Sequence, residues 1–481
     1  MKRKFFTNLV LLLLLNLLIK PFWMFGIDLT VQNLTGAEEY GLYFAVFNFS
    51  LVLNIFLDLG ITNFNNRSIA QHQQLLQKYL SYLVSLKLLL AVFYALICIV
   101  VALVIGYNGR QIYLLLFLIG NQFLLSFTLY LRSNISALHY FRTDSFLSVL
   151  DRTLMIGLCG LLLFTNWVGI QFSIEWFVYA QFIGYVLAAL ITIGFVVYYS
   201  RGFRLRFNYK VSRSFLRQSF PFALLVLLMS IQNRVGTVLL ERFLPLDGNE
   251  QTGIYAQAFR LQDAAAMLGF LFAGLLLPIF SRMLKKKEDI SQMLRFSFEL
   301  IIVPSILVAI IAVFYGHEIM AMLYHQHADE STSLLQMLMV GFVGISTTYI
   351  FGTLLTANGN LKALNQVAFA FVVVNVGLNI VLIPHFQAGG AAFTSMFTQL
   401  GAALIQVVLV WRYFKLRPNY LLILRLIGFV LFLLLVGKIS LFLANWLFGV
   451  AVFVFFGLIY AILVKLINLK ALREILNEKA L

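Results

Sequence analysis

Charge is what this chain has least of: only 11% of its 481 residues are Asp, Glu, Lys or Arg, against 62% hydrophobic ones. That excludes an ordinary soluble domain, in which about a quarter of the residues are charged. Cysteine is equally scarce. The two present, Cys98 and Cys159, both lie in apolar stretches, which excludes a disulfide framework. Also missing is any polar connection long enough to fold by itself, so whatever the protein does must be done by its apolar segments.

Those segments recur from end to end in blocks of about twenty residues, long enough to cross ~30 Å of hydrocarbon at ~1.5 Å per residue. Barrel strands would alternate every second residue over about ten positions, and these blocks do not. Spans are expected at 5–31, 40–60, 80–107, 112–131, 153–170, 175–199, 219–241, 253–281, 296–315, 332–356, 365–384, 391–411, 421–443 and 446–464. The fold class is therefore an all-α polytopic membrane protein of about fourteen helices. At the N-terminus, "MKRKFFTNLVLLLLLNLL" begins like a signal peptide, but Lys20-Pro21 stands where a small-residue cleavage site would be. A retained first helix is expected.

Acidic residues are outnumbered, 19 to 35, for a formal net charge of +16. Placement along the chain excludes nucleic acid as the reason. Lys2-Arg3-Lys4, "SRGFRLRFNYKVSR" (200–213), "SRMLKKKED" (281–289) and "WRYFKLRPNY" (411–420) fall at alternate connections, as the positive-inside rule requires of cytoplasmic ones. The opposite side carries Glu38, Glu39, Glu175, Glu241, Asp247, Glu250, Glu318, Asp329 and Glu330, with Arg110 and Arg242. Both termini are then cytoplasmic, and attraction to anionic lipid headgroups is a secondary consequence.

The basic linker near 200–218 divides the chain, and the two sides repeat. "EEYGLYFAVFNF" (38–49) lies over "EQTGIYAQAFRL" (250–261), matching Glu38 with Glu250, Gly41 with Gly253, Tyr43 with Tyr255 and Phe47 with Phe259. "SALHYFRTD" (136–144) and "LTANGNLKAL" (355–364) occupy equivalent connections. Six spans separate the copies, an even number, so the halves are related by a pseudo-twofold along the membrane normal. The expected domains are 1–210 and 211–418, each a six-helix lobe, and 419–481, a helix pair with a short tail. Paired lobes of this kind enclose a site that opens alternately to each side.

Ionisable residues inside spans mark such a site, because each costs about 2.5–3.5 kcal/mol to insert. Arg234 and Arg260 stand seven residues from the outer ends of spans 7 and 8. The repeat carries Lys20 close to Arg234 and sets Asn48 over Arg260. Three cations on spans 1, 7 and 8 suit a phosphate-bearing headgroup, with Arg gripping it in a bidentate way and Lys as a point charge. Arg260 can also pair with Asp263 at i,i+3. Pro21 breaks a helical hydrogen bond and predicts a hinge in the first span. Lys87 and Lys438 lie near span ends, where snorkelling suffices. Asp58 closes span 2, where Arg67 or bases of the second lobe would steady it as an inner gate. His317, His325 and His327 with Asp329 and Glu330 match no defined metal site. No Walker, Ser-His-Asp or zinc-protease constellation occurs, so an enzyme is not expected.

Several stretches resemble the Wzx-type oligosaccharide-lipid flippases of the multidrug/oligosaccharidyl-lipid/polysaccharide (MOP) exporter superfamily, which includes MATE exporters and lipid II flippases. They are residues 34–70, "TGIYAQAFRL" (252–261) leading to "LPIFSR" (277–282), "TANGNLKA" (356–363) and "NVGLNIVLIPHFQAGGAAF" (375–393). The resemblance implies a MATE-like fold. It also implies export of a polyprenyl-pyrophosphate-linked oligosaccharide from the inner to the outer leaflet of a bacterial cytoplasmic membrane, for surface polysaccharides such as O-antigen. The cationic cavity it implies is lined by spans 1, 2, 7 and 8, matching Lys20, Arg234 and Arg260. Asn48 departs from relatives that carry a cation on span 2.

On this reading Asn48, Tyr43, Tyr255 and Gln257 meet sugar, Asp263 lines the cavity, and Pro21, Asp28, Asp58 and Arg67 form hinge and gates. No cofactor is expected, and coupling to a proton or sodium gradient is left open. Membrane lipids and other polysaccharide assembly proteins are the further partners. The alternative is a cation-coupled multidrug antiporter of MATE type, in which Asp28 or Asp263 is indispensable. A membrane glycan polymerase or ligase would need a large outer loop, which the chain lacks.

Overall fold

The computed structural model describes residues 15–467, apart from 17, 63–64, 66–68, 70–73, 75, 139, 165–171, 201 and 203–204. All regular structure among these residues is helical. Twelve helices are long and apolar enough to cross a membrane. They are α1 (Leu18–Leu57), α2 (Leu76–Val104), α3 (Gly109–Ala137), α4 (Phe141–Phe164), α5 (Ile174–Ser200), α6 (Tyr209–Phe243), α7 (Gly248–Lys286), α8 (Ser291–Leu323), α9 (Ala328–Ala357), α10 (Leu361–Tyr413), α11 (Tyr420–Ser440) and α12 (Trp446–Leu463).

Three of the twelve carry a non-helical residue inside: α8 kinks at Tyr315 (φ −119°, ψ 19°), and two others break at a positive φ. α1 is interrupted at Gly36 (φ 79°, ψ 170°) and α10, 53 residues long, at Gln387 (φ 50°, ψ −131°). Both breaks fall in the short gaps expected between spans, 31–40 and 384–391. Dividing α1 and α10 at these two breaks gives fourteen segments among the described residues. Glycine adopts a positive φ without strain, which is why the helix can kink at Gly36 in one residue.

The boundary furthest from expectation is the start of α4, and the next is the start of α6, at Tyr209 instead of 219. α4 begins at Phe141, twelve residues before the predicted 153. Hydropathy alone placed Arg142, Asp144, Asp151 and Arg152 outside the bilayer. Asp144, paired with Arg132 of α3, and the adjacent Asp151 and Arg152 instead lie within the helix.

The chain forms two compact units, Met1–Gly253 and Ile254–Leu481, with the boundary inside α7. In the first, Leu80, Leu83 and Leu90 of α2 meet Phe127 and Tyr130 of α3 and Leu147 of α4. In the second, Ile302, Val303 and Ile306 of α8 pack against Phe429 and Leu433 of α11 and Phe453 of α12. Tyr315 of α8 donates to Ser440 Oγ of α11 at 2.7 Å, so the last two helices are seated on α8. Along α2 the row Leu89, Val92, Phe93, Leu96, Val100 and Leu103 is exposed while Lys87 is buried. An apolar outside over a polar inside is the pattern a hydrocarbon solvent selects.

The sequence repeat has a structural counterpart. Tyr43 stacks on Phe47 with ring centroids 5.6 Å apart and 20° between planes; Tyr255 stacks on Phe259 at 5.5 Å and 28°. The matched glycines also serve one contact. A Cβ on Gly41 would lie 1.8 Å from Asn249 O and 2.6 Å from Gly253 N, and one on Gly253 would lie 1.9 Å from Ala37 O. Only glycine permits this backbone approach.

Five of the charges assigned to the outer side lie together in the first unit. Arg110 of α3 pairs with Glu39 of α1 at 2.6 Å and with Glu175 of α5 at 2.7 Å. Beside it, Gln111 donates to the buried Glu241 of α6 at 2.7 Å. Glu241 is also held by Arg242, which donates to Gly106 O and lies 4.8 Å from the Tyr107 ring.

Candidate functional site

Five cations within the helices of the first unit, Lys20, Lys87, Arg132, Arg152 and Arg234, fall into three groups. The first is on α1. Pro21 has no N–H to give to the preceding turn, and the helix widens into a π-turn over Trp23–Asp28, where Leu29 N–H reaches back to Met24 O. Lys20 projects from the turn just before it. It lies within Coulombic range of Arg152, Asp151 and Arg132, and no carboxylate among the described residues comes into ion-pair distance of it. Arg132 Nε donates to Asp144 Oδ1 at 2.9 Å. Arg152 stands 3.8 Å from Asp151, with its guanidinium 5.5 Å from the Trp23 ring and 5.8 Å from the Tyr185 ring. Asn16, two residues before the start of α1, donates to Ser148 Oγ of α4 at 3.0 Å.

The second group joins α1 to α6. Arg234 donates through Nη1 to Asn48 Oδ1 at 2.7 Å, and Asn48, 0% exposed, donates in turn to Phe44 O at 2.8 Å. The residue expected to meet sugar is thus a ligand of the expected cation. The third group corrects the reading of Lys87. Instead of snorkelling, Lys87 is 1% exposed, ion-paired with Asp58, donates to Ser126 Oγ at 3.0 Å and lies 5.8 Å from the Tyr130 ring. Asp58 is therefore steadied from α2, and also receives the Thr62 hydroxyl. Arg67 lies outside the described residues.

The remaining predicted residues are placed as follows. Asp28 is buried at the end of the π-turn and accepts from Tyr40 Oη at 2.9 Å. Tyr43 and Tyr255 are each 2% exposed, and Tyr43 Oη accepts from Gln181 Nε2 at 3.2 Å. Their rings pack inside the protein in this conformation. Gln257 donates to Gln326 O at 3.3 Å, while its Oε1 is buried without a hydrogen bond. Arg260 and Asp263 are half-buried on α7 in the second unit.

The structure therefore joins Asn48 to Arg234 but puts Lys20 with Arg132 and Arg152, two residues the sequence reading left on a cytoplasmic flank. A signal for them exists. Asp144, Ser148 and Asp151 follow at i, i+4 and i+7, one polar face of a helix, and the predicted span boundary at 153 cut it off. Chemically, these side chains can hold an anion, orient it and exchange ion-pair partners. No set of three or more His, Cys, Asp or Glu residues suited to a metal occurs among the described residues.

Comparisons with known proteins give a consistent picture of the fold. The structure of the lipid II flippase MurJ in an inward closed conformation is similar with a TM-score of 0.74 at 15% identity, covering 95% of this chain and 99% of that one. A multidrug resistance MATE family transporter in an inward-facing conformation gives 0.61 at 15% identity, over 79% and 91%. A MOP superfamily transporter from Pyrococcus furiosus, described as having a binding pocket of reversed polarity, gives 0.60 at 14%, over 84% and 93%. The fold is MATE- and MurJ-like, as expected. No curated protein sequence matches the chain significantly. The family model described as polysaccharide biosynthesis protein matches residues 6–284, more than half the chain. The chain belongs to the polysaccharide biosynthesis protein family.

Proposed function

We propose that the chain is a flippase that carries a polyprenyl-pyrophosphate-linked oligosaccharide from the inner to the outer leaflet of a bacterial cytoplasmic membrane by alternating access, with both termini cytoplasmic. The observation that carries the reading is Lys20, a cation in a membrane-crossing helix beside a π-turn, with no carboxylate in ion-pair distance among the described residues. A charge in a membrane-crossing helix with no counter-ion in reach is costly unless an anion or water meets it for part of the cycle. Family membership and the likeness to a lipid II flippase support a substrate that carries such an anion.

In this mechanism Lys20, Arg234 and Arg260 hold the pyrophosphate, Asn48 keeps Arg234 aimed, and sugars occupy a wet cavity while the prenyl chain stays in lipid. Asn48, Gln257, Tyr43, Tyr255 and Asp263 line that cavity, the tyrosines through polar edges that open with the helices. The π-turn after Pro21 is the hinge, and Asp28 and Asp58 act at the gates, with Arg67 assigned to the inner one. Polysaccharide assembly enzymes would supply and consume the substrate. A second reading, a cation-coupled multidrug antiporter, is favoured by one observation: Asp28 is a buried carboxylate on the first span, hydrogen-bonded to Tyr40. The test is transport in proteoliposomes. The flippase reading expects K20M and R234Q to lose lipid-linked glycan transfer. The antiporter reading expects D28N to abolish drug efflux while the cationic variants retain it.

A further inference from the structure

The sequence repeat and the packing divide the chain at different points. By the repeat, α6 and the start of α7 follow the basic linker near 200–218 and belong to the second copy. The compact unit that holds the first copy nevertheless runs on to Gly253 and takes both in. At the α6–α7 turn, three contacts tie them to the first copy. Glu241, buried near the end of α6, accepts from Gln111 Nε2 of α3 at 2.7 Å. Arg242 is paired with Glu241, donates to Gly106 O at 3.0 Å and to Gln111 Oε1 at 3.1 Å, and lies 4.8 Å from the Tyr107 ring. The Gly106 carbonyl stands just past the C-terminus of α2, where the helix dipole favours a cation. The third contact is the backbone approach of Gly41 and Gly253, which has no side chains to interlock.

Gln111 is the joint of this arrangement. It is buried, and its Oε1 also accepts from the Asn108 N–H at 3.0 Å, while Asn108 Oδ1 accepts from the Gln111 N–H at 2.9 Å. That is a capping box at the start of α3. The amide oxygen thus serves the helix and Arg242 together, and the amide nitrogen serves Glu241. A glutamate would close the same capping box but would turn a like charge toward Glu241. The cap does not require an amide here; the contact with Glu241 does.

We propose that Gln111, Glu241 and Arg242 form a releasable latch that holds the α6–α7 turn against the α2–α3 turn and opens when substrate leaves on that side. Hydrogen bonds near a helix end exchange for water at small net cost, and glycine contacts part without unpacking side chains. The turns can therefore separate while the apolar packing of α2, α3 and α4 stays intact. The link to substrate release rests on the flippase reading; the latch itself does not.

The test is the distance between spin labels on V104C and L246C, read by double electron–electron resonance on the full chain in nanodiscs, with the buried Cys98 and Cys159 replaced by alanine. Val104, at the end of α2, and Leu246, in the turn after α6, are both exposed, so labels there disturb neither side of the latch. With Gln111, Glu241 and Arg242 intact, the short distance should dominate. Gln111→Glu should add a population several ångströms longer while keeping the melting temperature, because the cap is kept. Adding Glu241→Gln to that variant should restore the short distance, since a donor again faces the carboxylate. Arg242→Met introduces no like charge and should also add the longer population. A purely structural role would lower the melting temperature and leave the distances unchanged. If folded Q111E or folded R242M keeps the unaltered distribution, or E241Q fails to restore it in Q111E, the proposal is overturned. If the distances behave as expected while the wild-type protein transfers no lipid-linked glycan, the flippase reading fails and the latch stands.

Discussion

At the scale of single residues, the interior charges differ in what holds them, and this sets what their loss should do. Lys87 is buried and shares Asp58 with Thr62, so Lys87→Met leaves a carboxylate facing a hydroxyl in a mostly dry place. A loss of about 3 kcal/mol is expected, the lower part of the buried-pair range because Asp58 is 27% exposed. Thermal unfolding in detergent should show K87M well below wild type and the double variant K87M/D58N partly recovered. Equal melting of K87M and wild type would mean the pair contributes nothing. Asn48→Ala should act on Arg234 by removing its 2.7 Å acceptor, and so lower transport more than it lowers the melting temperature. The sequence marked Lys20, Asn48, Asp58 and Arg234 because polar residues are rare in apolar spans. It did not show who pairs with whom, since Lys87 and Asp58 are 29 residues apart and Asn48 and Arg234 are 186 apart.

Elements carry a second group of expectations, set by backbone rather than charge. Gly41→Ala and Gly253→Ala each place a methyl within 2 Å of a carbonyl oxygen, so the start of α7 must move away from α1. Each should lower the melting temperature, and because the two glycines meet, the double variant should cost less than the sum of the singles. At the break in α10, Gln387 holds a positive φ that a side chain resists, so Gln387→Gly should stabilise the protein by about 1 kcal/mol. A lower melting temperature for that variant would show the Gln387 side chain to be needed. The repeat was legible in "EEYGLYFAVFNF" and "EQTGIYAQAFRL" because the same contacts, Tyr on Phe and glycine on backbone, are made twice. The start of α4 was not legible, because Asp144 and Asp151 read as solvent residues until Arg132 and Arg152 are seen beside them.

For the whole molecule, hydropathy sufficed for the class of fold. Long apolar runs admit little besides membrane helices, and the two breaks at Gly36 and Gln387 account for the difference between twelve continuous runs and fourteen spans. Of the charges that the sequence assigned to the outer side, Glu39, Glu175, Glu241, Arg110 and Arg242 lie together in the first unit. For function the sequence offered only an expectation, because cations inside spans suggest an anionic substrate and say nothing of the sugar attached to it. The central claim is that these cations carry the phosphate of a lipid-linked glycan across the bilayer. The most direct measurement is transfer of a polyprenyl-diphosphate-linked oligosaccharide across proteoliposomes by K20M, R234Q and R260Q, with insertion verified for each. The account predicts loss of transfer about tenfold or greater in each variant; wild-type rates in all three would contradict it.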